Sequence, residues 1–180
     1  HPTLRRQRQM CIRDRVTHAA VALLLKAATS RRHAAVFVAG TLLPDLLSRV
    51  PSMIISASRA FIDVPNLLIY GWDPLHTPAG MVLSAYAISL LFVAEGRRGV
   101  FVNLLGGMFL HMGIDLLQSH LNVGYPLLFP FSTHAYELGL IGSEATVPFA
   151  IPLALLAAWV WRRGRNVGAA QSSEEGDGIG

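Results

Sequence analysis

Cysteine is almost missing from this chain, since Cys11 is the only one among 180 residues. A disulfide framework and a cysteine zinc knuckle are therefore excluded. Any metal site must use histidine, carboxylate or neutral oxygen ligands. The chain also lacks a Walker loop, a Gly-x-Ser-x-Gly motif and a Cys/His catalytic dyad, so nucleophilic acyl chemistry finds no support among its motifs.

Charged residues are also scarce. They make up 14% of the chain, and 52% of the residues are hydrophobic, whereas a soluble domain usually carries about 25% charged residues. The mean hydropathy of +0.44 agrees with a membrane protein. The net charge of +4 comes with arginines in short clusters between apolar runs and without interleaved aromatics. This pattern is typical of membrane orientation, so we predict no nucleic-acid partner.

The two ends of the chain differ from its middle. Residues 1–15 are basic and polar and lack the apolar run of a signal peptide, so we interpret them as a non-native or disordered leader. A native basic arm is the alternative. Residues 166–180 are polar and glycine-rich, which predicts a disordered tail. The predicted helical membrane domain is therefore 16–165, a length typical of one domain.

Apolar segments separated by basic turns predict an all-α, polytopic helical membrane protein with about four to six helices in a bundle. We expect Thr17 to cap the first helix and Pro44 to kink or end the second. The predicted segments are short helices at Val16–Thr29 and Ala34–Leu47, an interfacial or re-entrant segment at Ser52–Tyr70, and spans at Thr77–Ala94, Val100–Ser119 and Ile141–Trp161.

Three arginine pairs follow alternate helices, at 31–32, 97–98 and 162–163. Placing all three in the cytoplasm satisfies the positive-inside rule and predicts a multi-pass membrane protein. The opposite helix ends, which carry several histidines and aspartates, then face the extracytoplasmic side. Arg49 and Arg59 count against this orientation.

His111 and Asp115 lie four residues apart in an otherwise apolar helix, so both side chains point the same way. Ionisable groups are costly in such a setting and usually serve a function there. Imidazole and carboxylate are also common ligands of divalent metals. The structural alternative is a hydrogen bond between helices.

Three further ionisable side chains stand at the ends of other apolar segments, namely those of His18, Asp45 and His76. Each of them alone could be a capping residue. Together they predict a divalent metal site, for zinc or manganese rather than magnesium. A carboxylate that does not bind the metal, Asp45 or Asp115, could act as general base. The predicted ligands are His18, Asp45, His76, His111 and Asp115.

Several short motifs occur in the order seen in the inner-membrane metal-dependent hydrolase family, also described as LexA-binding. They are Thr17-His18, Gly40-Thr-Leu-Leu-Pro-Asp45, His76-Thr77, His111-x-x-x-Asp115 and Tyr125-Pro-Leu-Leu-Phe-Pro-Phe-Ser132. The chain resembles this family from about residue 16 to residue 163. The resemblance implies a polytopic helical protein of the bacterial inner (plasma) membrane with metal-dependent hydrolase activity.

The chain departs from the family pattern at two places. Leu47 stands where the family often has a second aspartate, and Tyr70-Gly-Trp-Asp73 stands where it often has a His-Arg pair. These departures put a two-metal site in doubt, and Asp73 could replace one missing ligand.

Three functions remain open from the sequence. The first is a hydrolase of a lipid or lipid-linked ester or phosphoester that acts through a metal-activated water. The second is a transporter or proton relay, which would spread ionisable groups across the membrane depth. The third is a non-catalytic regulatory or scaffold protein that keeps a metal for stability. Membrane lipid is the expected partner in each case.

Overall fold

The computed structural model describes residues 2–59, 61–119, 124–142 and 148–177. Within these ranges the protein is all-α, as predicted, apart from a 3-10 turn at Asp73–His76 and two short parallel strands, β1 (Gln118–Ser119) and β2 (Ile141–Gly142). The helices are α1 (Pro2–Ala28), α2 (Ala34–Ser58), α3 (Asn66–Tyr70), α4 (Pro78–Ser89), α5 (Ala94–Leu117) and α6 (Ala150–Asp177).

The turn between α1 and α2 meets the first part of α5 and the middle of α6 at one end of the bundle, which we call the basic end. There the His33 ring packs against Gly99. Arg31 Nη1 donates a hydrogen bond to Trp161 O at 3.1 Å, and its guanidinium lies over the Trp161 ring. Accordingly α2 and α5 run away from the basic end, and α1, α4 and α6 run towards it.

Two glycines allow α2 and α5 to touch backbone to backbone. A Cβ at Gly107 would lie 2.1 Å from Phe37 O, and one at Gly40 would lie 2.4 Å from a carbonyl oxygen of α5. Both distances are too short for any side chain. Since Asp45 lies five residues after Gly40 and His111 four after Gly107, this close contact also sets the spacing between Asp45 and His111.

The apolar core lies mainly between α4 and α5. Its buried members are Met81, Ala85, Val100, Leu104, Met108 and Met112. Many large apolar side chains point outward instead, including Ile54 on α2 and Val102 on α5, which are 64% and 57% exposed. In the described ranges, α2 and α5 are long and apolar enough to cross a membrane. Outward apolar side chains on such helices are what a lipid-facing surface requires.

The predicted continuous span at Thr77–Ala94 is wrong, because α4 ends at Ser89. The Ser89 hydroxyl donates to Tyr86 O at 2.7 Å, and a short apolar turn follows. A new helix begins at Ala94 with Glu95 in its first turn, where a negative charge favours the helix dipole. The predicted basic turn at residues 97–98 therefore lies inside α5.

Pro44 does not end its helix, since α2 continues to Ser58. Ser48 Oγ donates to Pro44 O at 2.7 Å and Ser52 Oγ donates to Ser48 O at 2.9 Å. Neither bond reaches the Gly40 carbonyl, which loses its usual N–H donor to Pro44, but the backbone contact of Gly40 with α5 supports the helix at this turn. The predicted segment at Ser52–Tyr70 is therefore divided between the end of α2 and the short α3.

Two predicted helix starts also differ from the structure. Thr17 is not an N-cap, because it lies inside α1, which begins at Pro2. The last helix begins at Ala150 rather than at Ile141, because Ile141 is in an extended strand paired with Gln118. The domain boundaries at residues 15 and 165 stay predictions.

Candidate metal centre

The five side chains predicted as ligands lie together at the end of the bundle opposite the basic end. They form two triads that share one histidine, and the ligand atoms within each triad lie within 4.8 Å of one another. The triads are His18, His111 and Asp115, and Asp45, His76 and His111. We call these five side chains the His/Asp cluster. They come from α1, α2, the 3-10 turn and α5.

His111 Nε2 stands at the middle of the cluster. It lies 3.0 Å from His76 Nε2, 3.3 Å from Asp115 Oδ2 and 3.8 Å from Asp45 Oδ1. His76 Nε2 also lies 3.6 Å from Asp115 Oδ2, and His18 Nε2 lies 3.1 Å from Asp115 Oδ1. Two ligands bound at about 2.1 Å to one tetrahedral ion are about 3.4 Å apart, so this spacing suits a shared cation.

Burial and unmet hydrogen bonding also suit a cation. His18 and His111 are each 1% exposed. Asp45 Oδ1 accepts no hydrogen bond of good geometry from the described residues, although Arg49 Nε forms an ion pair with it at 2.9 Å. Two imidazole nitrogens 3.0 Å apart, as in His76 and His111, can share at most one proton. A divalent cation would satisfy these lone pairs together, so the residues present fit a metal.

A tight turn positions His76. Thr77 Oγ1 donates to Pro74 O at 2.7 Å and accepts from the Gly80 backbone N–H at 3.2 Å, which caps α4. A Cβ at Gly80 would lie 2.0 Å from Pro74 O, so only glycine fits there. Burial and the neighbouring His111 lower the pKa of His76 to about 4. The ring is therefore neutral at neutral pH, as a metal ligand must be.

Three residues that the sequence did not predict also reach the cluster. The Tyr125 hydroxyl donates to Asp115 Oδ2 at 2.8 Å and accepts from Arg49 Nη2 at 3.0 Å. Arg15 Nε lies 3.6 Å from Asp45 Oδ2. Burial and the Asp115 charge raise the pKa of Tyr125 above its usual value, which keeps the phenol a hydrogen-bond donor.

The sequence held a signal for one of these three residues. Arg49 follows Asp45 by four residues on α2, a spacing that favours an ion pair. The contacts of Arg49 with Asp45, Asp115 and Tyr125 account for a positive charge outside the basic end, which had counted against the predicted orientation. Tyr125 begins the loop motif shared with the family but had no spacing signal of this kind, because a backbone pairing with Tyr136 across the loop holds it in place.

Asp73 does not supply the replacement ligand that the sequence allowed. It is solvent-exposed and belongs to neither triad. Partial burial nevertheless raises its pKa. The described residues therefore offer the five predicted ligands and no sixth ligand from this turn.

Comparison with known proteins agrees with the membrane assignment. No curated protein and no solved structure matches the chain significantly. The YdjM inner membrane protein family matches residues 14–172, a range that includes the whole His/Asp cluster together with Arg15, Arg49 and Tyr125. Because this match covers most of the sequence, the chain belongs to the YdjM inner membrane protein family.

Proposed function

We propose that this protein is a multi-pass inner-membrane hydrolase that cleaves an ester or phosphoester of a lipid or lipid-linked compound with the help of a divalent metal. The observation that carries the proposal is the convergence of five buried nitrogen and oxygen ligands from four separate elements. A structural hydrogen bond between two helices needs only one pair. A set of this size in an apolar protein is costly unless it serves a function.

Four atoms are best placed to hold the metal: Nε2 of His76 and His111, Oδ1 of Asp45 and Oδ2 of Asp115. The remaining predicted ligand, His18, contacts the other oxygen of Asp115. From there it would fix the orientation of that carboxylate, as partners of metal ligands commonly do. Zinc or manganese suits this mixture of imidazole and carboxylate better than magnesium does.

A bound divalent ion would supply Lewis acidity and would bring the pKa of a bound water to about 7. The residues around it would orient the substrate and accept the proton. Of the two predicted bases, Asp115 is already in contact with three histidines and Tyr125. Asp45 has an oxygen that faces the part-exposed Arg15. We therefore assign the role of general base to Oδ2 of Asp45, the oxygen that would not hold the metal.

The proposed orientation places the His/Asp cluster towards the extracytoplasmic face. At 1.5 Å per residue, Asp45 lies about 17 Å along α2 from Ala34, and His111 lies about 25 Å along α5 from Ala94. The hydrocarbon core of a bilayer is about 30 Å thick. With the arginines of the basic end in the cytoplasm, the cluster is in the outer half of the membrane.

Labelling of single cysteines tests this orientation. In a Cys11→Ser background, Thr133→Cys lies in the loop beyond α5 and Arg98→Cys lies at the basic end, and both positions are exposed. We expect a membrane-impermeant maleimide to label Thr133→Cys in intact spheroplasts and to label Arg98→Cys only after lysis. The opposite labelling would overturn the orientation but not the metal site.

Metal content and turnover test the function itself. The full chain, purified in nanodiscs, should hold zinc or manganese and should cleave a lipid ester or phosphoester from a defined panel. His111→Ala should lose both properties. His134→Ala is the matched control, because His134 is exposed and lies outside the cluster. A wild-type protein without metal refutes the proposal, and one with metal but no turnover favours a scaffold role.

A further inference from the structure

We propose that Arg49 binds the scissile group of the substrate and that this group is a phosphate ester rather than an uncharged carboxylic ester. The inference rests on the proposed function. It assigns a substrate class and a recognition residue to the same site.

Arg49 lies beside both carboxylates of the His/Asp cluster and also reaches the protein surface. Its Nε lies 2.9 Å from Asp45 Oδ1 and its Nη2 lies 3.9 Å from Asp115 Oδ2, so the guanidinium borders both carboxylates of the cluster. The side chain is also 37% exposed. Arg49 therefore reaches from the buried ligands to the surface through which a substrate would enter. A planar guanidinium is well suited to two oxygens of one phosphoryl group.

Tyr125 fixes the guanidinium in this position. Its hydroxyl accepts a hydrogen bond from Arg49 Nη2 at 3.0 Å and donates one to Asp115 Oδ2 at 2.8 Å. The phenol itself packs edge-on against the His76 ring. A ligand oxygen near His76 and His111 would thus meet an arginine that is already oriented. Tyr125 is a positioning residue in this arrangement.

The charges around the His/Asp cluster favour an anionic substrate. Two carboxylates, Asp45 and Asp115, are matched by two guanidiniums, Arg15 and Arg49. A divalent ion would add two positive charges in a largely buried site, where uncompensated charge is costly. The dianion of a phosphate monoester would restore neutrality, and an uncharged carboxylic ester would not. Asp73 is exposed, so water screens its charge.

Binding of inorganic phosphate tests the inference without turnover. The full chain in nanodiscs is loaded with zinc, and calorimetry measures its affinity for phosphate and for acetate, the product type of a carboxylic ester. The variants are Arg49→Gln, Arg49→Lys, which keeps the charge if the first variant is unstable, and Tyr125→Phe. Arg59→Gln is the control, because Arg59 caps the C-terminal end of the helix that carries Arg49 but binds Asn66 and Val64 O instead. Zinc content is measured in every sample.

We expect the wild type to bind phosphate at least tenfold more tightly than acetate. Arg49→Gln should weaken phosphate binding by about tenfold or more, the size of one charged hydrogen bond. Arg49→Lys and Tyr125→Phe should lose less, and Arg59→Gln should lose nothing. Zinc content should stay unchanged in all of them, which separates anion recognition from a structural role.

Two results overturn the inference. One is equal affinity for phosphate and acetate in zinc-loaded wild type. The other is wild-type phosphate affinity in Arg49→Gln and Arg49→Lys while both retain zinc. Absence of zinc from the wild type is a different failure, because it removes the proposed function on which the inference rests.

Discussion

Replacing Gly107 with alanine is expected to weaken metal binding, although Gly107 contributes no ligand atom. The new Cβ would stand 2.1 Å from Phe37 O and 2.9 Å from Gly40 Cα. Both neighbours are backbone atoms of α2, so no side-chain rotation relieves the clash. The two helices must separate, and Asp45 on α2 must then move away from His111 on α5.

The size of the effect follows from these distances. Reaching an ordinary contact of 3.4 Å requires α2 and α5 to move apart by about 1.3 Å locally. A metal site tolerates about 0.2 Å in its bond lengths. We therefore expect Gly107→Ala to lose about tenfold or more in zinc affinity. The overpacking should also cost about 1–3 kcal/mol of stability, partly offset by up to about 1 kcal/mol from the higher helix propensity of alanine.

Gly113→Ala is the matched control for this experiment. Gly113 lies on the same helix, and nothing stands within 4 Å of the position of its Cβ. Alanine at position 113 raises the helix propensity by the same amount and makes no clash. Competition with a fluorescent zinc chelator measures affinity, and thermal unfolding in detergent measures stability. Equal zinc affinity in Gly107→Ala and Gly113→Ala would refute the view that the glycine contact sets the ligand spacing.

Three further predictions follow from other contacts. Metal-free protein should lose stability as the pH falls from about 6.5 towards 4. In this range the His76 ring takes up a proton in the unfolded state, whereas in the folded state it has a pKa of about 4 and stays neutral. The melting temperature should therefore depend less on pH in His76→Gln than in the wild type. Thr77→Val should cost about 1 kcal/mol by removing the hydrogen bond from Gly80, which denaturant unfolding would detect. Arg31→Gln should lower the melting temperature by removing the contacts to Trp161, and an unchanged value would contradict that role.

The convergence of the five residues of the His/Asp cluster was predictable from the sequence, because each is an ionisable residue within or at the end of an apolar segment. His111 and Asp115 share a helix, so their spacing alone placed both on one face. The opposite ends of the predicted helices then brought His18, Asp45 and His76 to the same side. Their placement depends only on the alternation of helix directions, so the wrong helix boundaries do not change it.

The wrong boundaries have local causes that hydropathy does not record. The turn after Ser89 is as apolar as the helices around it, so composition could not separate α4 from α5. Pro44 is usually a helix breaker, but the packing of Gly40 against α5 one turn earlier preserves α2. Tyr125 depends on a loop pairing, and no periodic pattern encodes such a contact.

The central claim is that His76, His111, Asp45 and Asp115 bind one divalent metal. X-ray absorption at the zinc edge of the purified, zinc-supplied full chain tests it most directly. The account predicts one ion per chain with nitrogen and oxygen ligands at about 2.0–2.1 Å, imidazole scattering and no sulfur, and loss of that signal in His111→Ala. Substoichiometric zinc in the wild type, or an unchanged spectrum in His111→Ala, would contradict it.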